Sequence, residues 1–297
     1  MFAAEFEYKK ANSAVEALQL LKDNPGAKIL AGGHSLIPLM KLRLAQPPLV
    51  IDIGGIEDMK GIAVENGNLR IGALTTHAEI AESHVVQESC GILWETAYGI
   101  GDPQVRNRGT IGGNVVHADP ASDLPTVLVA MNAKFIIQRQ GIMGRRDFRS
   151  VPAYEFFLGA FTTALEEKGD EEILTAIEVP VLAENQYAEY AKMAHPATSF
   201  AVVGAAALLT VENNICTAAR VAVGGLTPAP TRGPSVEAAL VGKELTDENI
   251  AAATSLIDGD LGSDILGDIF ASAEYRRAMA AIELKHAIFH ATGLAHH

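Results

Sequence analysis

The sequence predicts a fold that mixes α-helices and β-strands in three consecutive segments. The first segment has the pattern of strand, helix and strand, and the second opens with a hairpin around an Asn-Gly turn. The third segment, from about residue 186, shifts in composition toward alanine and valine. A chain of 297 residues, 48% of them hydrophobic, is long enough to bury the core that such a fold needs.

A capped helix and two short strands are predicted for the first segment. Ser13 and Glu16 form a capping-box pattern, so a helix is expected over residues 12–22, and the sequence "NPG" ends it. The apolar strand "AKIL" then leads directly into a Gly-Gly pair, and "LVIDI" reads as a second buried strand.

The second segment, residues 56–178, alternates between strands and helices. The stretch "GIAVENGNLRIGAL" predicts two strands joined by an Asn-Gly turn, and Thr76 is a plausible cap for the helix that follows. A loop over residues 99–109 leads into a second Gly-Gly turn. The other predicted elements are a helix over 85–98, a helix and then a strand over 123–140, and a strand over 172–181.

The third segment predicts a hairpin followed by helices. Two apolar strands flank the turn "ENN", and the alanine-rich, periodic residues 247–291 are expected to be helical. No internal repeat or low-complexity linker interrupts the chain.

Composition excludes several classes of partner. The net charge of −13 argues against nucleic acid or an anionic membrane as the main partner. No stretch of eighteen apolar residues predicts a membrane span, and the N-terminus lacks a signal-peptide pattern, so a cytoplasmic location is expected. The two cysteines, Cys90 and Cys216, are too few for a disulfide scaffold or for the four thiolates of an ordinary iron–sulfur cluster.

Two glycine motifs, "LAGGHSLIPL" at residues 30–39 and "GTIGGNVVHA" at 109–118, suggest one ligand held from two sides. Glycine lets a backbone bend tightly and approach a ligand closely, and successive N–H groups in a turn form a concave nest for an anion. A diphosphate is large enough to need both motifs. The pair Gly224-Gly225 lacks polar neighbours of this kind and is expected to be a structural turn.

Two common nucleotide-binding motifs are absent. Neither glycine motif has the G-x-G-x-x-G spacing of the dinucleotide fingerprint. The G-x-x-x-x-G-K-S/T pattern of the P-loop is missing as well, because Lys41 is too far from Gly33.

The motifs "AGGHSL" at residues 31–36 and "RNRGTIGGNVVHADPASDLP" at 106–125 resemble the FAD-binding medium subunit of molybdenum hydroxylases. This family includes the medium subunit of aerobic carbon monoxide dehydrogenase and the FAD domain of xanthine dehydrogenase. The resemblance covers nearly the whole chain and continues through "EYAKMAHPATSFAVVGAAALL" at 189–209.

The resemblance implies an α+β fold with two domains. A PCMH-type FAD-binding domain is expected over residues 1–178, with subdomains of about 1–55 and 56–178. A C-terminal domain of antiparallel sheet and helices is expected over residues 179–297.

The resemblance also implies that the two glycine motifs together bind the diphosphate of a non-covalent FAD. The motif residues carried over are Ala31, Gly32, Gly33, His34, Ser35, Leu36, Thr110, Ile111, Gly112, Gly113 and Asn114. The other carried-over contacts are Ile100 before the second motif, Asp123 at the adenosine ribose, Leu174 and Tyr190 beside the flavin, and Lys192 near its pyrimidine side. A cation there would favour negative charge on the reduced ring. Arg106 and Arg108 either anchor their loop or shape the electrostatic potential.

The function implied by the resemblance is electron transfer within a multi-subunit enzyme. The chain would accept electrons from the [2Fe-2S] clusters of a small subunit and pass them to an external acceptor. A large subunit would hold the molybdenum–pterin cofactor, in a dimer of heterotrimers, so no catalytic or metal-binding residue is expected in this chain. The substrate stays open among carbon monoxide, aldehydes and N-heterocycles.

Two other functions are weighed against this one. A self-contained flavin oxidase of the vanillyl-alcohol oxidase type would need a substrate-capping domain for which this chain is too short. A binding module without FAD is the second alternative, and the intact glycine motifs, Asp123 and Lys192 argue against it.

Overall fold

Three β-sheets of three to five strands, with helices packed on them, follow one another along the described part of the chain. The computed structural model describes residues 1–140, 146–165 and 172–293. In these residues the structure has no helix that is long and apolar enough to cross a membrane. The α+β class predicted from the sequence is confirmed.

The first sheet is parallel and three-stranded. Its strands pair in the order β1-β3-β2, with β1 at Glu7–Lys10, β2 at Lys28–Leu30 and β3 at Leu49–Asp52. Helices α1 (Ala14–Asp23) and α2 (Leu36–Lys41) provide the crossovers that parallel strands need. Ser13 caps α1 as predicted, but the Glu16 carboxylate accepts from the amide of Asn12 and not from that of Ser13.

The second sheet is antiparallel and five-stranded, in the order β4-β5-β10-β6-β7. Its strands are β4 (Ile62–Glu65), β5 (Asn68–Gly72), β6 (Lys134–Gln140), β7 (Arg146–Pro152) and β10 (Glu172–Pro180), while β8 (Phe157–Gly159) and β9 (Thr162–Thr163) pair separately. Asn66 and Gly67 have φ values of 52° and 75°, which confirms the predicted hairpin turn.

Short helices pack around the second sheet, and three predictions for this region need correction. The helices are α3 (His77–Ala81), α4 (His84–Ser89), α5 (Gly91–Tyr98), α6 (Pro103–Arg106), α7 (Ile111–His117), α8 (Asp123–Ala130) and α9 (Ala153–Phe156), with a 3-10 turn at Glu57–Met59. The predicted helix over 85–98 breaks at Cys90, and the predicted loop over 99–109 contains α6. The second Gly-Gly pair, expected in a turn, lies inside the first turn of α7. Thr110 caps this helix, which begins at Ile111, one residue before Gly112.

The third sheet is antiparallel and four-stranded, with β11 (Gln186–Ala194), β12 (Ala201–Glu212), β13 (Ile215–Gly224) and β14 (Thr231–Arg232) in chain order. Asn213 and Asn214 both have positive φ and form the predicted hairpin turn. The predicted helical region over 247–291 is only partly helical: it contains α11 (Asp247–Thr254), α12 (Ile257–Asp260) and most of α13 (Ala273–Thr292), and residues 261–272 between them are irregular. Helix α10 (Pro234–Leu240) precedes them.

Both faces of the third sheet are buried, each against a different layer. Ala206 and Ala222 join the core of the second segment, where α8 packs on β12 and β13. Ala205, Val221 and Val223 point the other way and join the core formed with the C-terminal helices. The sheet therefore holds α8, and the loop before it, against a rigid support.

Candidate functional site

The two glycine motifs touch each other. A Cβ placed on Gly32 would lie 1.9 Å from the carbonyl oxygen of Arg108, so only glycine allows the first motif to approach the loop before the second. A Cβ on Gly113 would lie 3.8 Å from the side chain of Ala31. Motifs almost eighty positions apart in sequence thus form one site.

The first motif presents a run of open backbone donors. Within the described residues, the N–H groups of Gly32, Gly33, His34, Ser35 and Leu36 donate to no protein acceptor. Gly33 has a φ of +78°, in the left-handed region, and this conformation turns the chain tightly into α2. His34 and Ser35 are exposed. Successive open N–H groups in such a turn are suited to an anionic group.

Around the second Gly-Gly pair the backbone N–H groups are already used, so the expected nest of open donors is not formed by residues 111–114. The N–H groups of residues 111–114 donate to the carbonyls of Thr75 and Ala73 and to the side chain and carbonyl of Thr110. A Cβ on Gly112 would lie 2.5 Å from that of Ala73, so this glycine serves close packing inside the protein. The second motif is therefore held in place by its own hydrogen bonds and packs beside the open donors of the first motif.

A buried ion pair lies at the start of α8. The Nζ of Lys192 donates to Asp123 Oδ2 at 2.9 Å, and the hydroxyl of Tyr190 donates to Asp123 Oδ1 at 2.8 Å. Asp123 is 5% exposed and the Lys192 side chain is 15% exposed. Burial raises the pKa of Asp123, and the nearby charge and hydrogen bond of Lys192 act against that rise.

Lys192 also joins two loops at the rim of the site. Its Nζ donates to the carbonyl of Gly99 at 3.2 Å and to the carbonyl of Ser199 at 3.0 Å. An ammonium group has three donors, and with Asp123 all three are used. The Lys192 side chain therefore holds the loop after α5 and the β11–β12 loop against the carboxylate.

Tyr190 fits because Gly204 on β12, which pairs with Lys192, leaves room for the Tyr190 ring. A Cβ on Gly204 would lie 2.2 Å from the Tyr190 hydroxyl oxygen. Burial, together with the neighbouring Asp123 carboxylate, raises the pKa of Tyr190 well above its ordinary value. The hydroxyl therefore stays protonated and donates a hydrogen bond to Asp123. The side chain is committed to Asp123.

The remaining sequence-predicted residues lie in the surrounding wall. Leu174 is 3% exposed and belongs to the core at a bulge in β10. Ile100 is half-buried, and its carbonyl accepts from Arg106 at 3.0 Å. Because the Arg106 guanidinium also lies 5.4 Å from the centre of the Tyr98 ring, the geometry favours the loop-anchoring role for Arg106.

Comparison with known proteins assigns this chain to a family. Residues 4–182 match the family described as "FAD binding domain in molybdopterin dehydrogenase", and residues 188–291 match "CO dehydrogenase flavoprotein C-terminal domain". The chain belongs to the molybdopterin dehydrogenase FAD-binding family. The resemblance stated from the sequence is confirmed, and the chain is an FAD-binding component of an oxidoreductase.

Relatives in this family match nearly the whole chain. The carbon monoxide dehydrogenase medium chain of Hydrogenophaga pseudoflava is 38% identical over 97% of each chain, and the glyceraldehyde dehydrogenase medium chain of Sulfolobus acidocaldarius is 35% identical over 95% of this chain and 96% of its own. The solved quinoline 2-oxidoreductase from Pseudomonas putida 86 superposes with a TM-score of 0.90 at 31% identity, covering 99% of each chain. Relatives that are named for three different substrates are thus similar to this chain to about the same degree.

The sequence did not reveal that His77 packs beneath the second glycine motif. Its ring lies under Gly109, where a Cβ would meet His77 Cδ2 at 2.8 Å, and its amide donates to the Gly109 carbonyl. Burial lowers the pKa of His77 to about 4, so the ring is neutral. The Thr76 cap predicted the helix containing His77, but no local signal could place that helix under the second motif.

Proposed function

We propose that this chain is the FAD-carrying electron-transfer subunit of a multi-subunit molybdenum dehydrogenase. It accepts electrons from iron–sulfur clusters of a small partner subunit and passes them to an external acceptor. A large subunit holds the molybdenum–pterin cofactor, and the assembly is a dimer of heterotrimers. The observation that carries the cofactor assignment is the run of five open N–H groups in the first glycine motif, walled by the second.

The residues present fit a non-covalently bound FAD. The open donors of residues 32–36 would hold its diphosphate, with the Ser35 hydroxyl and the Asn114 side chain at the edges. Bound FAD supplies a redox centre that exchanges electrons with partner centres and acceptors. The protein supplies the binding and the surrounding charges.

Asp123 and Lys192 act as one unit in this proposal. The family resemblance implied contacts with opposite parts of FAD for these two residues, yet the two side chains are in direct contact. Each Asp123 oxygen already accepts one protein hydrogen bond and keeps a lone pair for a hydroxyl group of FAD. Lys192 positions that carboxylate and the two rim loops.

The metal centres are assigned to partner subunits because of the residues that this chain lacks. Cys90 and Cys216, its two cysteines, are both fully buried in separate cores. Among the residues described by the structure, no group of three or more histidine, cysteine, aspartate or glutamate side chains could hold a metal ion.

We also propose residues 1–178 and 179–297 as the two domains.

The test compares the isolated chain with the assembled complex. We expect the isolated chain, loaded with FAD and reduced with dithionite, to pass electrons to an artificial dye acceptor. It should not oxidise carbon monoxide, an aldehyde or an N-heterocycle, whereas the complex should oxidise one of them. Substrate oxidation by the isolated chain would overturn the subunit assignment. The same chain stripped of FAD is the control.

A further inference from the structure

A buried arginine on the C-terminal helix bonds the end of the third sheet. Arg276, on α13, is 6% exposed. Its Nη1 donates to the carbonyl of Val202 at 2.9 Å and to the carbonyl of Gly225 at 2.6 Å. Its Nη2 donates to Asp268 Oδ2 at 2.5 Å, and its Nε donates to the carbonyl of Ala271 at 3.4 Å. The guanidinium therefore joins two strand ends to the chain that precedes α13.

These contacts lie where the pairing of two strands ends. The ladder between β12 and β13 ends at the pair Gly204 and Gly224, and Val202 and Gly225 lie just beyond it. Gly225 has a φ of +83°, and a Cβ there would lie 2.8 Å from the Val202 carbonyl oxygen, so only glycine lets the two chains come this close. Because Arg276 bonds both carbonyls, it fixes the spacing of the strand ends beyond their last ladder pair.

The same strand ends support the loop before α8. The N–H of Gly225 donates to the carbonyl of Pro120 at 2.9 Å, and the N–H of Ala201 donates to the carbonyl of Ala121 at 3.0 Å. Ala201 is the first residue of β12. Both supports of the loop are thus at, or next to, a residue whose carbonyl bonds the buried arginine.

The loop leads into two groups of the candidate site. Ser122 is followed directly by Asp123, whose carboxylate accepts from Tyr190 and Lys192. The Ser122 hydroxyl donates to Asn114 Oδ1 at 2.8 Å, so the loop also orients the last side chain of the second glycine motif. A shift of this loop would therefore move both Asp123 and Asn114.

The apolar surroundings of Arg276 do not call for a charge. Ala280, one turn further along α13, belongs to the apolar C-terminal core. Taking a guanidinium out of water costs free energy, and a well-packed apolar side chain of similar volume is often as stable. The carboxylate partner, Asp268, has a side chain that is 50% exposed. What the guanidinium adds is a rigid fork of donors that holds several acceptors at fixed positions.

We propose that Arg276 is a positioning residue for the FAD site. It holds the loop of residues 120–122 on the two strand ends, so that Asp123 and Asn114 meet the cofactor in the correct place. This inference rests on the proposed function, since it takes Asp123 and Asn114 as contacts of FAD. It gives the C-terminal helix a part in cofactor binding without a contact to the cofactor.

The test is the dissociation constant of FAD, measured by fluorescence titration of the FAD-free chain. We expect Arg276→Met to bind FAD about tenfold more weakly, which corresponds to one lost hydrogen bond. Arg276→Lys keeps a donor near the strand ends and should recover part of this affinity. Arg277→Met is the matched control, because Arg277 is partly exposed and bonds Asp258 instead, and it should bind FAD like the wild type.

Two comparisons separate positioning from a general loss of stability. Leu284→Ala removes a fully buried side chain from the same helix and should destabilise the chain while its folded form keeps the wild-type affinity for FAD. If Arg276 acts through Asp123, then Arg276→Met should weaken FAD binding less in an Asp123→Asn background than in the wild type. Equal weakening by Arg276→Met and Leu284→Ala, or full additivity with Asp123→Asn, would overturn the proposal.

Amide hydrogen exchange tests the support of the loop without the cofactor. The N–H groups of Ala201 and Gly225 should exchange faster in Arg276→Lys than in the wild type, because an ammonium cannot reproduce the fork of the guanidinium. Unchanged exchange at both positions would overturn the proposal even if Arg276→Met does not fold. Wild-type FAD affinity in Arg276→Met would overturn this inference alone, whereas a wild-type chain that binds no FAD would overturn the proposed function as well.

Discussion

Replacing Lys192 with methionine removes one member of a buried ion pair. The change keeps the apolar stem but deletes the ammonium that lies 2.9 Å from Asp123 Oδ2. It also frees the carbonyls of Gly99 and Ser199. Asp123, at 5% exposure, would keep the Tyr190 hydroxyl as its protein partner.

The expected loss of stability is large because the remaining charge stays buried. Removing one partner of a buried ion pair costs about 3–5 kcal/mol, whereas an exposed pair is worth about 0–1 kcal/mol. Lys60 and Glu57 form an exposed pair at 2.8 Å, so Lys60→Met is the matched control. We expect Lys192→Met to destabilise the chain several times more than Lys60→Met does.

The stability loss should depend on pH in one direction. Without Lys192, the pKa of Asp123, already raised by burial, should rise further above its value in the unfolded chain. A raised pKa in the folded state gives stability that is present below the unfolded pKa and is lost as pH rises through the folded pKa. The cost of Lys192→Met should therefore be greater at pH 8 than at pH 5.

Urea unfolding of both variants at the two pH values measures these differences. Equal, small losses for Lys192→Met and Lys60→Met would show that the Lys192–Asp123 contact is no stronger than a surface pair. A loss that shrinks as pH rises would contradict the assignment of a buried, charged Asp123. Adding Asp123→Asn to Lys192→Met should recover part of the lost stability, because it removes the unpaired charge.

Three further outcomes follow from the packing of single residues. Gly112→Ala should cost about 1–3 kcal/mol in urea unfolding through overpacking against Ala73. Gly113→Ala, whose Cβ would lie 2.8 Å from the Thr110 hydroxyl and 3.8 Å from Ala31, should destabilise the chain as well and should also weaken FAD binding in a fluorescence titration. Tyr190→Phe should cost about 1–3 kcal/mol because it leaves a buried carboxylate short of a donor, while Tyr187→Phe, on an exposed side chain, should cost little. The thiol of Cys90, whose pKa burial raises to about 12, should react with Ellman's reagent only after unfolding, and fast labelling of the native chain would contradict its burial.

Local signals in the sequence predicted local structure well. The Asn-Gly and Asn-Asn turns and the Ser13 and Thr76 caps are set by residues within three or four positions of one another. Predictions that depended on a uniform pattern were weaker. The helix predicted over 247–291 ran through residues 261–272, yet that stretch contains one alanine and two glycines. There Arg276 donates to the Ala271 carbonyl and to Asp268, and the chain follows an irregular path.

The candidate site was predictable in its residues but not in its contacts. Both glycine motifs were recognised, yet the N–H groups of the second are used by Thr75 and Ala73, a pairing that arises only when the second segment folds. The contact of Lys192 with Asp123 joins residues 69 positions apart. No periodicity or spacing encodes a contact between a strand of the third sheet and the start of α8.

The amount and identity of the flavin released from the purified chain test the central claim most directly. Acid precipitation followed by chromatography of the supernatant should give one FAD per chain, with no flavin left in the protein pellet. The family membership of the chain predicts this result, and the open N–H groups of residues 32–36 are suited to the diphosphate of FAD. Flavin retained in the pellet, FMN in the supernatant, or a chain that binds no flavin when FAD is supplied would contradict the account.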